Sequence, residues 1–277
     1  MDKKTDYLGQ ITGKVLLFGG IYSNLQALEA LKQVAEKENI LPENCISTGD
    51  LFGYCAQPEE TAQLFKIWKA KSIAGNVEKQ LNDGAENCGC DFRAGSRCDD
   101  FSQQWYPFVQ SKLSKNSLDF IKTLPDHITF HYAGKQVMVV HGSYQNISEF
   151  IFKSTPWESK APSFLDNAFD VVIGGHCGLP FQDKQDDKLW INPGVIGMPA
   201  NDGTPSVWYA ILDDTNGTLN VEHHTLHYNH KLTNKLMLNG VLPEEYARTI
   251  ITGIWDNTEI LPNIESGLQG FGVNLTP

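Results

Sequence analysis

Cys45-Ile46-Ser47-Thr48-Gly49-Asp50-Leu51-Phe52-Gly53-Tyr54 is the stretch that decides the fold: a short apolar run stops at a glycine and delivers an aspartate just beyond it. The format recurs. Lys14 to Phe18 ends at Gly19-Gly20, and Ser72 to Ala74 ends at Gly75-Asn76. Gln136 to Val140 delivers His141-Gly142, and Val171 to Ile173 delivers Gly174-Gly175-His176. Short runs bounded by turn residues read as strands. Between the first two, Leu25, Leu28, Leu31 and Val34 recur at helical spacing, and Ala62, Phe65 and Trp68 do so within Pro58 to Trp68. Strands alternating with helices specify an α/β fold, in which ligands collect at the carboxyl ends of the strands.

Outward from this frame, Ile128 to Tyr132 and Gln136 to Val140 flank Ala133-Gly134-Lys135 as a hairpin. Leu189 to Asn192 and Val207 to Leu212 are further strands, and Asn216-Gly217 turns the chain into Leu219 to His223. Leu81 to Asp100 is rich in Gly, Asn, Asp and Cys and reads as a loop, followed by an aromatic helical stretch around Trp105. A tail from Asn229 carries a helix opened by Pro243-Glu244-Glu245, with Tyr246, Ile250 and Ile254 as its apolar face. No linker or repeat divides the 277 residues, so one domain is expected, with a core over about 13–225 and a C-terminal helical extension over 226–277.

Composition narrows the function classes. The net charge of -11 argues against general binding to nucleic acid or anionic membrane, because an acidic surface gains nothing from counterion release. The opening MDKKTDYLGQITGK is polar and runs straight into an apolar strand, with no signal-peptide or membrane-span pattern, so a cytoplasmic location is expected. Thiols stay mostly reduced there. Of six cysteines, Cys88, Cys90 and Cys98 crowd one segment, Asn87-Cys88-Gly89-Cys90-Asp91 through Arg97-Cys98-Asp99. That spacing is not the C-x₂-C of common zinc modules, and it leaves two readings, a soft-metal chelate or a structural loop placed to fold over the strand ends.

Asp50, Asn76, His141 and His176 are the metal-capable residues at those ends. Singly, each has a structural reading: a turn cap for Asp50, an Asx turn for Asn76, and satisfied strand-end histidines for the other two. Together, four repeats of strand, small step and ligand point to a shared cation.

In order and spacing, Gly19-Gly20-Ile21-Tyr22-Ser23-Asn24, Gly49-Asp50, Gly75-Asn76-Val77-Glu78, His141-Gly142 and Gly175-His176-Cys177-Gly178 resemble the blocks of the calcineurin-like metallophosphoesterases. Asn192-Pro193-Gly194-Val195-Ile196-Gly197 resembles the end of the small bacterial members, so the likeness covers roughly 13–225. The resemblance implies an α/β/β/α sandwich with two packed mixed β-sheets and a dinuclear metal site at the strand ends. It implies hydrolysis of phosphate esters or anhydrides.

The departures from the family pattern fall on one of its two metals. Gly20 and Tyr22 stand where the first block carries Asp and His, and Gly178 stands where the last block carries a second His. The other metal keeps Asp50, Asn76, His141 and His176. Val77 replaces the histidine that often protonates the leaving oxygen, a loss worth about 10²- to 10⁴-fold in rate. Glu78, which ordinarily supports that histidine, then reads as a capping or surface carboxylate.

These residues lead to a divergent phosphoesterase with one divalent ion, Zn, Mn or Fe, held by Asp50, Asn76, His141 and His176, and acting on a small phosphate-containing ligand. Asp50 and His141 are the residues on which catalysis is expected to depend, and Tyr22 and Asn76 are expected to contact substrate. Two alternatives share the fold. One is a catalytically weak or inactive phosphate-binding or regulatory protein, and the other a dinuclear enzyme whose missing ligands are replaced by a cysteine or by Tyr22.

Overall fold

The computed structural model describes residues 3–90 and 92–275. Met1, Asp2 and Asp91, from the N-terminal and cysteine segments read above, lie outside them, as do Thr276 and Pro277. Eleven described strands form two mixed sheets. One has the order β1 (Thr5–Ile11), β5 (His127–Tyr132), β6 (Lys135–Val139), β7 (Val171–Ile173), β9 (Lys188–Asn192), β8 (Phe181–Gln185). The other runs β11 (Asn220–Leu226), β10 (Val207–Asp213), β2 (Val15–Phe18), β3 (Cys45–Ser47), β4 (Lys71–Ser72).

Strand alternation sorts the core into layers. Val15 and Leu17 of β2 pack with Val137, Val139, Val171 and Ile173 between the sheets. Leu16 and Phe18, their neighbours in sequence, face outward onto a helical layer. That layer contains α1 (Leu25–Lys37), α2 (Pro58–Trp68), α3 (Asn76–Asp83), α4 (Arg97–Lys112) and α5 (Lys115–Ile121). The opposite face of the first sheet is covered by Ile151, Phe152 and Phe164, which meet Met138, Val140, Val172 and Trp190 around the short α6 (Trp157–Lys160). Burial of β2 on both faces is why its sequence shows no polar alternation. The result is the expected α/β/β/α arrangement.

Several elements differ from the sequence reading for identifiable reasons. Thr5–Ile11, read only as a polar lead-in, is β1, an edge strand paired parallel to β5 with a register shift between Tyr7 and Gln10. It is exposed along most of its length, so its composition hides it. Phe181–Gln185 is likewise an edge strand, paired antiparallel to β9. Asn76 opens helix α3 and α4 begins at Arg97, so the irregular cysteine segment is shorter than Leu81 to Asp100.

The C-terminal segment adds α7 (His230–Leu238), α8 (Glu244–Thr252) and α9 (Asn263–Ser266). Met237, Leu242, Ala247 and Ile250 join the same apolar cluster as Leu28 and Trp105. Ile254 falls outside α8, because Gly253 at φ 69° ends the helix in the left-handed conformation. Among the described residues no helix is long and apolar enough to cross a membrane.

Candidate metal centre

Four side chains from four separate strand ends meet at one point. His141 follows β6, and its Nε2 lies 2.9 Å from Asn76 Oδ1, 3.0 Å from His176 Nδ1 and 3.3 Å from Asp50 Oδ2. One donor atom each from Asp50, His141 and His176 lie within 4.8 Å of one another, and all three residues are buried. Among the described residues this is the sole group of three or more His, Cys, Asp or Glu side chains so gathered.

Each donor is held by a partner that fixes its orientation. Thr48's carbonyl, which can only accept, takes a hydrogen bond from His141 Nδ1 at 2.7 Å, so the proton of a neutral ring sits there and Nε2 presents a lone pair. Asn76 Nδ2 donates to the carbonyl of Cys88 at 2.8 Å and lies 3.2 Å from Cys90 Sγ, which turns Oδ1 toward the centre. Asp50 Oδ1 accepts from Val77 N–H at 3.3 Å. The His176 ring rests against Phe150, with centroids 4.3 Å apart, and its Nε2 is buried with no hydrogen-bond partner among the described residues.

This donor set fits a cation. Ligand atoms about 2.1 Å from a common centre lie about 3.0 Å apart in an octahedron and about 3.4 Å apart in a tetrahedron. The contacts of 2.9, 3.0 and 3.3 Å around His141 Nε2 fall close to these values. Nε2, Asn76 Oδ1 and Asp50 Oδ2 face one another there, an arrangement satisfied by positive charge between them, whether a proton on Nε2 or a bound cation. The titration directions carry the same message. Burial opposes ionisation of Asp50, yet His141 holds its carboxyl below the usual range. Burial likewise opposes a charge on His141, and Asp50 raises it. Burial, and then the neighbouring His141, push His176 down to about 3, so its imidazole is neutral and free to ligate.

Glu78 is the functional residue that the sequence reading undervalued. It caps α3, as expected, by accepting from Gly75 N–H at 2.8 Å, but it is fully buried and no surface group. The same carboxylate accepts from Asp50 N–H and Leu51 N–H, both at 2.9 Å. Asp50 itself sits at φ 56°, a left-handed conformation that a residue other than glycine resists. Glu78 therefore clamps the strained turn that aims Asp50. Gly75 clears the way, since a Cβ there would come within 2.1 Å of Asp50 Oδ1. Burial, with Asp50 nearby, raises Glu78 to about 7. The sequence signal was the spacing from Gly75 to Glu78, a capping box with glycine in place of serine.

The neighbouring position is filled differently. Tyr22, at φ 52°, folds its ring back over Gly20, where a Cβ would lie 2.3 Å from Tyr22 Cε1 and 2.4 Å from Cζ. The ring meets Tyr54 edge-on at 4.6 Å. No hydrogen bond of its hydroxyl is found among the described residues, and the residue lines a cavity. Gly178 adds no side chain, and the nearest atoms to a Cβ there would be Val195 methyl carbons at 3.6 and 3.8 Å. Among the described residues the cysteines form no second group of three or more gathered ligands: Cys98 Sγ contacts Asn257 Oδ1 at 3.5 Å, and Cys177 Sγ accepts from Asn192 Nδ2 at 3.2 Å.

A cavity of about 90 Å³ opens beside Asp50 and His176. Its wall combines distant segments that no local pattern connects, from Tyr54 and Cys90 to Phe150 and Trp255.

Comparison with known proteins agrees with this architecture. Residues 17–217 match the calcineurin-like phosphoesterase superfamily domain. The chain is 25% identical over 261 residues to the uncharacterised protein MJ0912 of Methanocaldococcus jannaschii, covering 88% of this chain and 99% of that protein. The solved structure of hypothetical protein PH1004 from Pyrococcus horikoshii superposes with a TM-score of 0.73 at 19% identity, covering 87% of this chain and 99% of that one. A metallophosphoesterase from Sphaerobacter thermophilus gives 0.67 at 21% identity, covering 88% and 100%. At these identities the structures speak to the fold alone.

Proposed function

The chain belongs to the calcineurin-like phosphoesterase superfamily, and from that premise we propose that it hydrolyses a small phosphate ester or anhydride at a mononuclear centre. Asp50, Asn76, His141 and His176 would hold one divalent ion, with zinc, manganese and iron all suited to two oxygen and two imidazole donors. When bound, such an ion supplies Lewis acidity toward a phosphoryl oxygen and makes water more acidic. The observation that carries the reading is the convergence of three donor atoms on His141 Nε2 at 2.9–3.3 Å, beside a cavity able to admit a phosphoryl group.

The protein's own part is orientation. Thr48, Cys88 and Glu78 fix the donors before any ligand arrives, which spares the reorganisation that loose side chains would need. In the reaction, oxygen of water bonds to phosphorus, the ester bond breaks, and the departing oxygen takes up a proton. Val77, at the place where a proton donor would stand, is buried in the apolar cluster and cannot supply that proton. Substrates whose leaving oxygen is stable as an anion are therefore favoured. Tyr22 contributes a cavity wall, with its hydroxyl open to ligand.

That same Val77 supports a second reading, a phosphate-binding or regulatory protein with little turnover. A panel of phosphate mono- and diesters, assayed with Mn²⁺, Zn²⁺ or Fe²⁺, separates the two. The hydrolase reading expects metal-dependent release of alcohol that Asp50→Asn abolishes. Saturable phosphate binding with no release in any metal would establish the binder.

A further inference from the structure

The cavity beside the candidate metal centre is walled by the aromatic side chains of Tyr22, Tyr54, Phe92, Phe150, Tyr246 and Trp255, and among the described residues no lysine or arginine lines it. Its charged lining residues are Asp50 and Asp256, both acidic. Arg97, beside the lining residue Asp256, is already committed: it reaches Asp256 through Nε at 2.5 Å and Glu245 through Nη2 at 3.2 Å, and its backbone N–H donates to Glu259. One guanidinium thus faces two carboxylates, Asp256 and Glu245, while Arg93 lies 3.9 Å from Glu259.

This wall decides which phosphate class the site can hold. Resting on the mononuclear reading, a divalent ion beside the Asp50 carboxylate, with neutral Asn76, His141 and His176, leaves one positive unit among the ligands themselves, which the buried Glu78 carboxylate behind Asp50 can only reduce. A phosphodiester carries one negative charge and neutralises it. A phosphomonoester at neutral pH carries close to two, and no protein cation lines the cavity to meet the second, which burial against aromatic rings makes costly. Phe92, Phe150, Tyr246 and Trp255 are half-buried, so their rings keep surface for a flat apolar partner. The unfilled proton-donor position at Val77 points the same way, because an aryloxide leaves without help more readily than an alkoxide.

We propose that the site selects phosphodiester-type monoanions carrying an aromatic group and discriminates against phosphomonoester dianions. Tyr246 and Trp255, which come from outside the strand-end motifs, act as the specificity-determining wall.

The test uses hydrolysis-resistant probes, so that it reads binding independently of turnover. Calorimetric affinities of the metal-loaded protein are measured at about pH 8, where phosphonates are largely dianionic, for diphenylphosphinate, dimethylphosphinate and phenylphosphonate. Diphenylphosphinate and phenylphosphonate differ in charge, and the two phosphinates differ in their rings. Diphenylphosphinate is expected to bind about tenfold or more tightly than either of the others. Trp255→Ala is expected to remove much of the advantage over dimethylphosphinate and leave dimethylphosphinate unchanged, while Asn257→Arg brings a cation to the wall and strengthens phenylphosphonate. Phenylphosphonate binding as tightly as diphenylphosphinate, or equal affinities of the two phosphinates, overturns the selectivity and leaves the phosphoesterase reading standing. Failure of all three probes to bind protein with a measured full complement of metal overturns both.

Discussion

Two halves of one strand-end site are maintained by different physics. On the side of Asp50, Asn76, His141 and His176, polar partners hold the donors: Thr48's carbonyl for His141, Cys88's for Asn76, and Glu78 for the turn carrying Asp50. On the side of Gly20, Tyr22 and Gly178, the positions are occupied by a packed ring and by the absence of side chains. Such constraint on donor geometry is what the proposed cation would need, and the second half shows packing in its place. Gly20 and Tyr22 are also mutually dependent, because the ring lies where a side chain on residue 20 would start. A side chain introduced at residue 20 alone is therefore expected to clash with the Tyr22 ring.

The largest effect expected from this contrast comes from Glu78→Ala, which leaves three buried backbone N–H groups of Asp50, Leu51 and Gly75 without an acceptor. Each costs about 1–3 kcal/mol, so a loss of at least about 3 kcal/mol is expected in denaturant unfolding, together with weakened metal binding. Glu78→Gln keeps one acceptor oxygen and should fall between. A Glu78→Ala protein of wild-type stability and metal affinity would mean that the clamp is dispensable.

Gly20→Asp comes next. The new side chain must displace the Tyr22 ring, and overpacking of this kind costs about 1–3 kcal/mol. Combining it with Tyr22→His should recover part of that loss, with a coupling of at least about 1 kcal/mol in a double-mutant cycle. Additive effects would show that the two positions are independent and that the ring is not the obstacle.

Tyr22→Phe should change least. No hydrogen bond of its hydroxyl is found among the described residues, so stability is expected to stay within about 0.5 kcal/mol of the parent and metal content to be unchanged. A marked loss of metal affinity in this variant would sharpen the comparison in the opposite direction, by showing that the phenol serves the centre.

These contrasts also separate what the sequence makes legible from what it hides. β2, β3 and β7 are short and buried on both faces, so apolar runs ending in glycine announce both the strands and the ligands beyond them. β1 and β8 escape because edge strands face solvent and take polar residues, as Asp183, Lys184 and Gln185 show. Glu78 was visible as a residue but not as a clamp, since its second and third partners come from the turn 27 and 28 residues earlier. The aromatic wall was the least readable feature. Tyr54, Phe92, Phe150 and Trp255 become neighbours only through the tertiary fold, and no spacing rule connects them.

The central claim is that one half of the site retains a cation and the other has lost it, and metal stoichiometry tests this most directly. Protein purified without added metal, then loaded with Mn²⁺, Zn²⁺ or Fe²⁺ and freed of excess, is analysed by elemental mass spectrometry beside the Asp50→Asn and His141→Ala variants. The account predicts about one tightly held divalent ion per parent chain, and its loss from both variants while they remain folded. Two tightly held ions per chain, or unchanged content in the variants, would contradict it.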